Sequence, residues 1–474
     1  MPQIVAHLQS PEDSAGIDVC PGAARACRPS YNPFMSTNRS RLLLLALLIA
    51  VAGLLYGALS GHARFTNDRG GTDFNVFYLA GSTVLDGNAS ELYSVRTERG
   101  AGYTYIYLPL FAVLMAPLSF FRIEITSIIW NLLSLLMIFH SVLILYAGYF
   151  PRALDDHALK RAYPVYLIAA SVVFLAENLL LGQVHILLLY LLVLAWKYER
   201  VRMEWTAGSL LGAATALKLL PGVFLLYFLL TQQYRALVSM LITVLVCVSV
   251  LPAVVIGFET NGQLVREFYE MQLRPLVSAG TTEASIYART AQQKTLHDQD
   301  FGALLMRHFA IDHYFVEEVN AENYRFLNLM SLNTSRVRQL MLPVFAALVI
   351  FMTVLYVRRR RVIDSDADAR DLFFALFVLL SLLLSPRVRL AYLTVLMIPY
   401  GLLIRNLLEH TDERTVSLSR NTLALSLGSI VLFSLPLFRA LTVLYYGLGF
   451  LFFGLIRLLV TKSASSRPPV GRTP

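Results

Sequence analysis

Apolar runs recur along nearly the whole chain, near 42–60, 124–150, 163–181, 184–198, 205–231, 235–256, 340–357, 371–385, 389–405, 421–437 and 439–461. An α-helix rising 1.5 Å per residue needs about 20 apolar residues to cross a hydrocarbon layer of about 30 Å. Runs of this length and number predict an all-α polytopic membrane protein with about 12 transmembrane helices. Two pieces break the pattern. The run 105–121 contains "YIYLPLFAVLMAP", and Pro109 and Pro117 predict a broken or re-entrant element. The run 205–231 meets a charge, a proline and a glycine between Lys218 and Gly222, which predicts two short helices that go in and come back.

Composition agrees. Of 474 residues, 56% are hydrophobic and 15% charged, against about a quarter charged in soluble domains. The net charge of +9 gathers at span ends, as in "YVRRRRV" at 356–362. That is a topology signal and no nucleic-acid footprint. Cys20, Cys27 and Cys247 have no metal spacing and imply no disulfide framework. Residues 1–40 lack periodicity and are expected to be a disordered cytoplasmic extension, with Met1 and Met35 both open as the start. The run at 42–59 fits an uncleaved first helix better than a signal peptide. Basic loops at 151–162, 197–204 and 358–361, with a tail at 462–474, are expected on the cytoplasmic side. Parity then puts residues 61–123 and 257–339, the turn at 182–183 and the turn at 385–387 outside, so chemistry is expected on the extracytoplasmic face.

The spacing of Phe74, Phe77, Tyr78, Gly81, Val84 and Leu85 predicts a short amphipathic helix over 73–86 at the membrane interface, capped by Thr72 and stopped at Gly87. Asp73 sits in its first turn. A carboxylate there is either a helix-start charge favoured by the helix dipole or a base kept ionised at the surface.

Other polar residues stand where lipid would penalise them. Lys218 lies between "AATAL" and "LLPG"; at a chain break its ammonium can meet a lipid phosphate, the alternative being snorkelling. Arg387 and Arg389 at an outer turn run against the positive-inside bias, and arginine suits bidentate phosphate contacts. "ENLLLGQVHILLL" gathers Glu177, Asn178, Gln183 and His185 around a turn, as a polar cavity or as helix–helix hydrogen bonds. Tyr105 and Tyr107 form either an interfacial aromatic belt or a wall for sugars. Arg289, Lys294, His297 and Arg307 read as solvated charges. No P-loop, CxxC, HExxH or ordered Ser–His–Asp set occurs.

The pieces "TDFNVFYLAGSTVLDGNASELYS", "YIYLPLFAVLMAPL", "LLLGQVHILLLYLLVLAW", "AGSLLGAATALKLLPGVFLLYFL" and "LLSPRVRLAYLTVLMIPY", in that order, resemble glycosyltransferase family 87. These are polyprenyl-phosphate-mannose-dependent α-1,2-mannosyltransferases of the GT-C superfamily. The resemblance covers about 40–460. It implies a GT-C helical bundle over 41–461 with an active site outside the plasma membrane. It also implies a cofactor-free, metal-independent inverting transfer from a polyprenyl-phosphate sugar to a glycolipid or polysaccharide. The family's base matches Asp73, and its Lys-Leu-x-Pro lysine matches Lys218. Arg387 and Arg389 are expected on the donor phosphate, with Tyr105, Tyr107, Asn178, Gln183 and His185 about the sugars. Ser385–Pro386 is followed by Arg-Val-Arg where family members often show Trp and paired His. A transporter or flippase of a lipid-linked anion is the alternative, since broken helices and a mid-chain lysine suit one.

Overall fold

The computed structural model describes residues 33–66, 72–95, 104–150, 157–274, 298–299, 301–309, 340–385, 387–409 and 412–462. The expectations for 1–32, Arg289, Lys294, His297 and the tail after Lys462 lie outside these residues, as does the side chain of Arg307. The chain divides into a short unit ending at Leu45 and a unit from Ala46 to Pro474. The packing and the site described below lie in the second unit.

The regular secondary structure of the described residues is helical. In chain order the helices are α1 (Pro33–Thr66), α2 (Asp73–Leu85), α3 (Pro109–Ser119), α4 (Ile123–Tyr149), α5 (His157–Leu181), α6 (His185–Arg200) and α7 (Glu204–Leu217). Then come α8 (Phe224–Leu230), α9 (Tyr234–Leu245), α10 (Leu251–Ile256), α11 (Phe258–Phe268), α12 (Phe301–Phe309), α13 (Met341–Ser365) and α14 (Ala367–Leu383). The last four are α15 (Met397–Leu408), α16 (Glu413–Leu432), α17 (Pro436–Ala440) and α18 (Val443–Thr461). Six helical segments are long and apolar enough to cross a membrane: Ser40–Thr66, Ile123–Tyr149, Arg161–Leu181, Tyr234–Ile256, Leu390–Leu408 and Val443–Thr461. The protein is thus an all-α polytopic membrane protein. The other expected crossings fall on shorter helices (α6, α7, α14) or on helices with charges inside their ends (α13, α16).

Both interruptions are present. Helix α3 begins at Pro109, holds Pro117, and at 11 residues is about 16 Å long, half of a hydrocarbon layer. Helix α7 stops at Leu217, Lys218 is extended (φ −154°, ψ 124°), and a 3-10 turn at Leu220–Val223 leads into α8. Two boundaries differ from expectation. The chain is already helical at Pro33, and Arg358–Arg361 lie inside α13. Arginine is a good helix former, so a polar stretch need not be a loop.

Helix α14 is the axis of the bundle, with every residue from Asp371 to Leu383 buried. Phe373, Phe374 and Phe377 pack tilted or edge-on against Phe224 and Tyr227 of the α8 segment. At its start, Asp371 accepts a hydrogen bond from Trp196 Nε1 (2.9 Å) and pairs with Arg200. Asp368 nearby takes a bidentate pair from Arg405 (2.7 and 3.1 Å) and a bond from Lys462 Nζ (2.8 Å). The turn at 385–389 lies at the other end of α14. Helix α1 lies close on α5. A side-chain carbon at Gly53 would meet Val172 at 2.2 Å, one at Gly57 the Ala176 backbone at 2.8 Å, and one at Gly61 the Leu179 backbone at 2.3 Å. Such small-residue stripes let membrane helices approach backbone to backbone.

Candidate active site

Helix α2 starts where the sequence says it should. Thr72 accepts a bond from Asn75 N (3.4 Å), and Asn75 Oδ1 accepts one from Thr72 N (3.2 Å), a reciprocal cap of the first turn. Asn75 also donates to Phe65 O at the end of α1 (2.9 Å), where Phe65 stacks on Phe74 at 4.4 Å. The helix ends at Leu85, and Gly87 takes φ +74°. It is an embedded helix: Phe74, Val76, Phe77, Ala80, Gly81 and Val84 are buried against α3 and its surroundings.

Asp73 is thereby fixed at the first position of α2, half-buried. Its Oδ2 accepts a hydrogen bond from Gln183 Nε2. Gly182 makes that contact feasible. It holds φ +65°, and a side-chain carbon there would lie 2.4 Å from Phe74 Cβ, so only glycine lets the α5–α6 turn come this close. Burial raises the Asp73 carboxyl to about 6, against the pull of Arg389, Lys218 and the Gln183 bond, which all favour the anion.

Lys218 points back from the α7 break. Its Nζ lies 2.5 Å from His185 Nε2 and 3.3 Å from the centroid of the Tyr392 ring, and the His185 ring lies tilted against Tyr392 at 4.2 Å. The Lys218 amine is thus held by a π face and an imidazole rather than by a carboxylate, and burial pushes it well below the usual lysine range. Arg387 and Arg389 follow the end of α14 and lie within electrostatic reach of Lys218. Their Nε atoms stand 3.3 and 3.0 Å from one carboxylate oxygen of Asp298, whose side chain is wholly buried.

Asp73, Gln183, His185, Lys218, Arg387 and Arg389 therefore form one cluster at helix ends, drawn from separate segments of the chain. Tyr107 borders it. Its ring packs edge-on against Phe77 (5.2 Å), and its hydroxyl feels the charge of Asp73. Two expected residues lie deeper. Tyr105 is fully buried and donates to Leu108 O (2.8 Å), an internal brace. Asn178 donates to Ala391 O (2.7 Å) and Thr394 Oγ1 (2.5 Å), which ties α5 to the 390–396 turn. Glu177, half-buried on the preceding position, feels Arg64 and Arg389.

Sequence reasoning missed Tyr392, Asp298 and Gln299. Tyr392 stands three residues after Arg389 in an apolar run, where an aromatic reads as core. Asp298 lies in "HDQD", a polar stretch without periodicity. Gln299 is buried beside it: its N donates to Val388 O (2.6 Å), its Nε2 donates to Arg439 O (2.9 Å), and its Oε1 accepts from Leu444 N (3.4 Å).

The sequence profile of glycosyltransferase family 87 matches residues 105–386. The chain belongs to glycosyltransferase family 87. Two curated relatives bear the name polyprenol-phosphate-mannose-dependent alpha-(1-2)-phosphatidylinositol mannoside mannosyltransferase. The one from Mycobacterium tuberculosis is 29% identical over 231 residues, 44% of this chain and 51% of its own length. The one from Mycolicibacterium smegmatis is 31% identical over 187 residues, 37% of this chain and 42% of its own. The chain thus spans about half the length of the curated relatives it matches. No solved structure matches it. Within the cluster, the family match takes in Gln183, His185, Lys218 and Asp298. Asp73 precedes it, and Arg387 and Arg389 directly follow it.

Proposed function

We propose that this family 87 protein is a mannosyltransferase that moves mannose from a polyprenyl-phosphate donor to a glycolipid acceptor. The names of both relatives support that donor, and their phosphatidylinositol mannoside supports a glycolipid acceptor. One observation carries the chemistry: a fixed carboxylate, Asp73, shares a cluster with a lysine and two arginines, Lys218, Arg387 and Arg389.

The acceptor hydroxyl oxygen attacks the anomeric carbon from the face opposite the phosphate. The new C–O bond forms as the bond to phosphate breaks, so the anomeric centre inverts. Asp73 takes the hydroxyl proton. Its raised carboxyl fits this role, because it is ionised at neutral pH and more basic than a solvated aspartate. The donor phosphodiester carries one negative charge, and the departing polyprenyl phosphate carries two. Lys218, Arg387 and Arg389 stabilise the charge that develops, so the leaving group needs no general acid. Tyr107, Gln183 and His185 line the sugar side and orient the reactants. The distribution of lysine and arginine supports an extracytoplasmic site on a multi-pass plasma-membrane protein.

Membranes containing the chain are incubated with radiolabelled polyprenyl-phosphate mannose and lipid acceptors. Wild type transfers label, and Asp73→Asn lowers transfer about 10²–10⁴-fold, the range of a lost general base. Equal transfer by both excludes Asp73 as base. Absence of transfer by wild type from any polyprenyl-phosphate sugar excludes the enzyme.

A further inference from the structure

Asp298 is a wholly buried carboxylate at 3.0 Å from Arg389 Nε and 3.3 Å from Arg387 Nε. The Arg389 side chain remains 39% exposed, so the aspartate does not cover the whole guanidinium. Gln299 locks the pair of residues in place through three bonds, to Val388, Arg439 and Leu444. An anion site built for the tightest grip on phosphate would not bury a permanent anion against both of its arginines.

We propose that Asp298 sets the charge of the phosphate site so that the site holds the donor but releases the product. This rests on the transferase reading above. Asp298 offsets part of the positive charge of Arg387 and Arg389, the two guanidiniums it pairs with. During transfer, Asp73 takes up a proton, so the site gains one positive charge as the phosphate gains one negative charge. The match persists through the step. When Asp73 returns its proton to water, the site loses that positive charge again and its hold on the dianionic polyprenyl phosphate weakens. Without Asp298 the site carries an additional positive charge throughout, and it favours the dianion more than the monoanion because Coulomb attraction scales with charge.

The test uses purified full-length protein in nanodiscs and two probes, polyprenyl phosphate and a polyprenyl methyl phosphodiester. Asp298→Asn keeps an oxygen for the Arg389 Nε–H and removes the charge. It is expected to bind polyprenyl phosphate about tenfold tighter, a change of the size that one hydrogen-bonded charge confers. Its kcat and donor KM both fall as product release slows. Adding Arg387→Gln to Asp298→Asn restores the charge count and returns product affinity toward wild type. Unchanged or weaker product binding by Asp298→Asn, at an unchanged Tm, overturns the proposal. A wild type that binds both probes with no difference between variants leaves the transferase reading standing while this one falls. A wild type that neither binds them nor transfers sugar overturns both.

Discussion

Asp73 joins a structural place to its proposed chemical role. Its position at the start of α2 fixes it, and its environment tunes it. Burial raises the carboxyl to about 6; for an acid the competent base is the form present above that value. Transfer is therefore expected to fall as pH drops through about 6, measured as kcat/KM against pH. Gln183 donates to this carboxylate and favours its ionised form. Gln183→Leu is expected to move the acid limb to higher pH, while the same substitution at Gln233, whose amide donates to Glu199 (3.0 Å) away from the cluster, leaves the limb in place. Lys218, Arg387 and Arg389 stand out in the sequence because charges beside apolar runs are costly and few, whereas Asp73 read as a helix-start charge or a base until the family resemblance matched it. Asp298 was not legible there, because its significance lies in a pairing with Arg389, 91 residues further along the chain. Tyr105 and Asn178 were recognised as unusual, yet their hydroxyl and amide serve internal hydrogen bonds that spacing alone does not reveal.

Among the elements, the short ones carry the site. Helix α2 was readable almost to the residue, since Thr72, the apolar spacing and Gly87 are all local signals. The break at Lys218 was readable for the same reason. The closeness of the α5–α6 turn to α2 was not, because it depends on what faces Gly182 across space. Gly182 and Gly87 make a useful comparison. Both hold positive φ, but a methyl at Gly87 meets nothing within 4 Å, whereas one at Gly182 strikes Phe74 and Phe65. Gly87→Ala is expected to lose about 1 kcal/mol, the cost of a left-handed residue, and to keep its activity. Gly182→Ala adds a clash, moves Gln183 off Asp73, and lowers both the Tm in detergent and kcat. Equal effects of the two substitutions would deny the turn its part in placing Asp73.

At the scale of the whole molecule, polar residues concentrate at the two ends of α14. One end holds the Asp73 cluster. The other holds Asp371 with Trp196 and Arg200, and Asp368 with Arg405 and Lys462. These contacts join α6, α14, α15 and the end of α18 by side-chain bonds, away from the proposed chemistry. Asp371→Ala leaves Arg200 without its buried partner and is expected to destabilise the protein by about 3 kcal/mol. Donor KM stays unchanged, and a detergent melt paired with kinetics separates the two effects. The all-α membrane class follows from hydrophobic run lengths alone, and most helices fall where the runs predict them. The number of full crossings is harder to read, because helices such as α6 and α7, at 16 and 14 residues, are shorter than a hydrocarbon layer.

The cradle around Lys218 has a consequence for how the protein is made. Its π partner, Tyr392, is about 170 residues further along the chain. At synthesis rates of about 5–20 residues per second, the ribosome reaches Tyr392 roughly ten to thirty seconds after Lys218. Over that interval the nascent N-terminal half carries a lysine that has no aromatic face to settle on. The break after α7 is what makes the delay tolerable: a charge at the tip of a helical hairpin can wait in the headgroup layer, whereas one in mid-helix would stall in hydrocarbon.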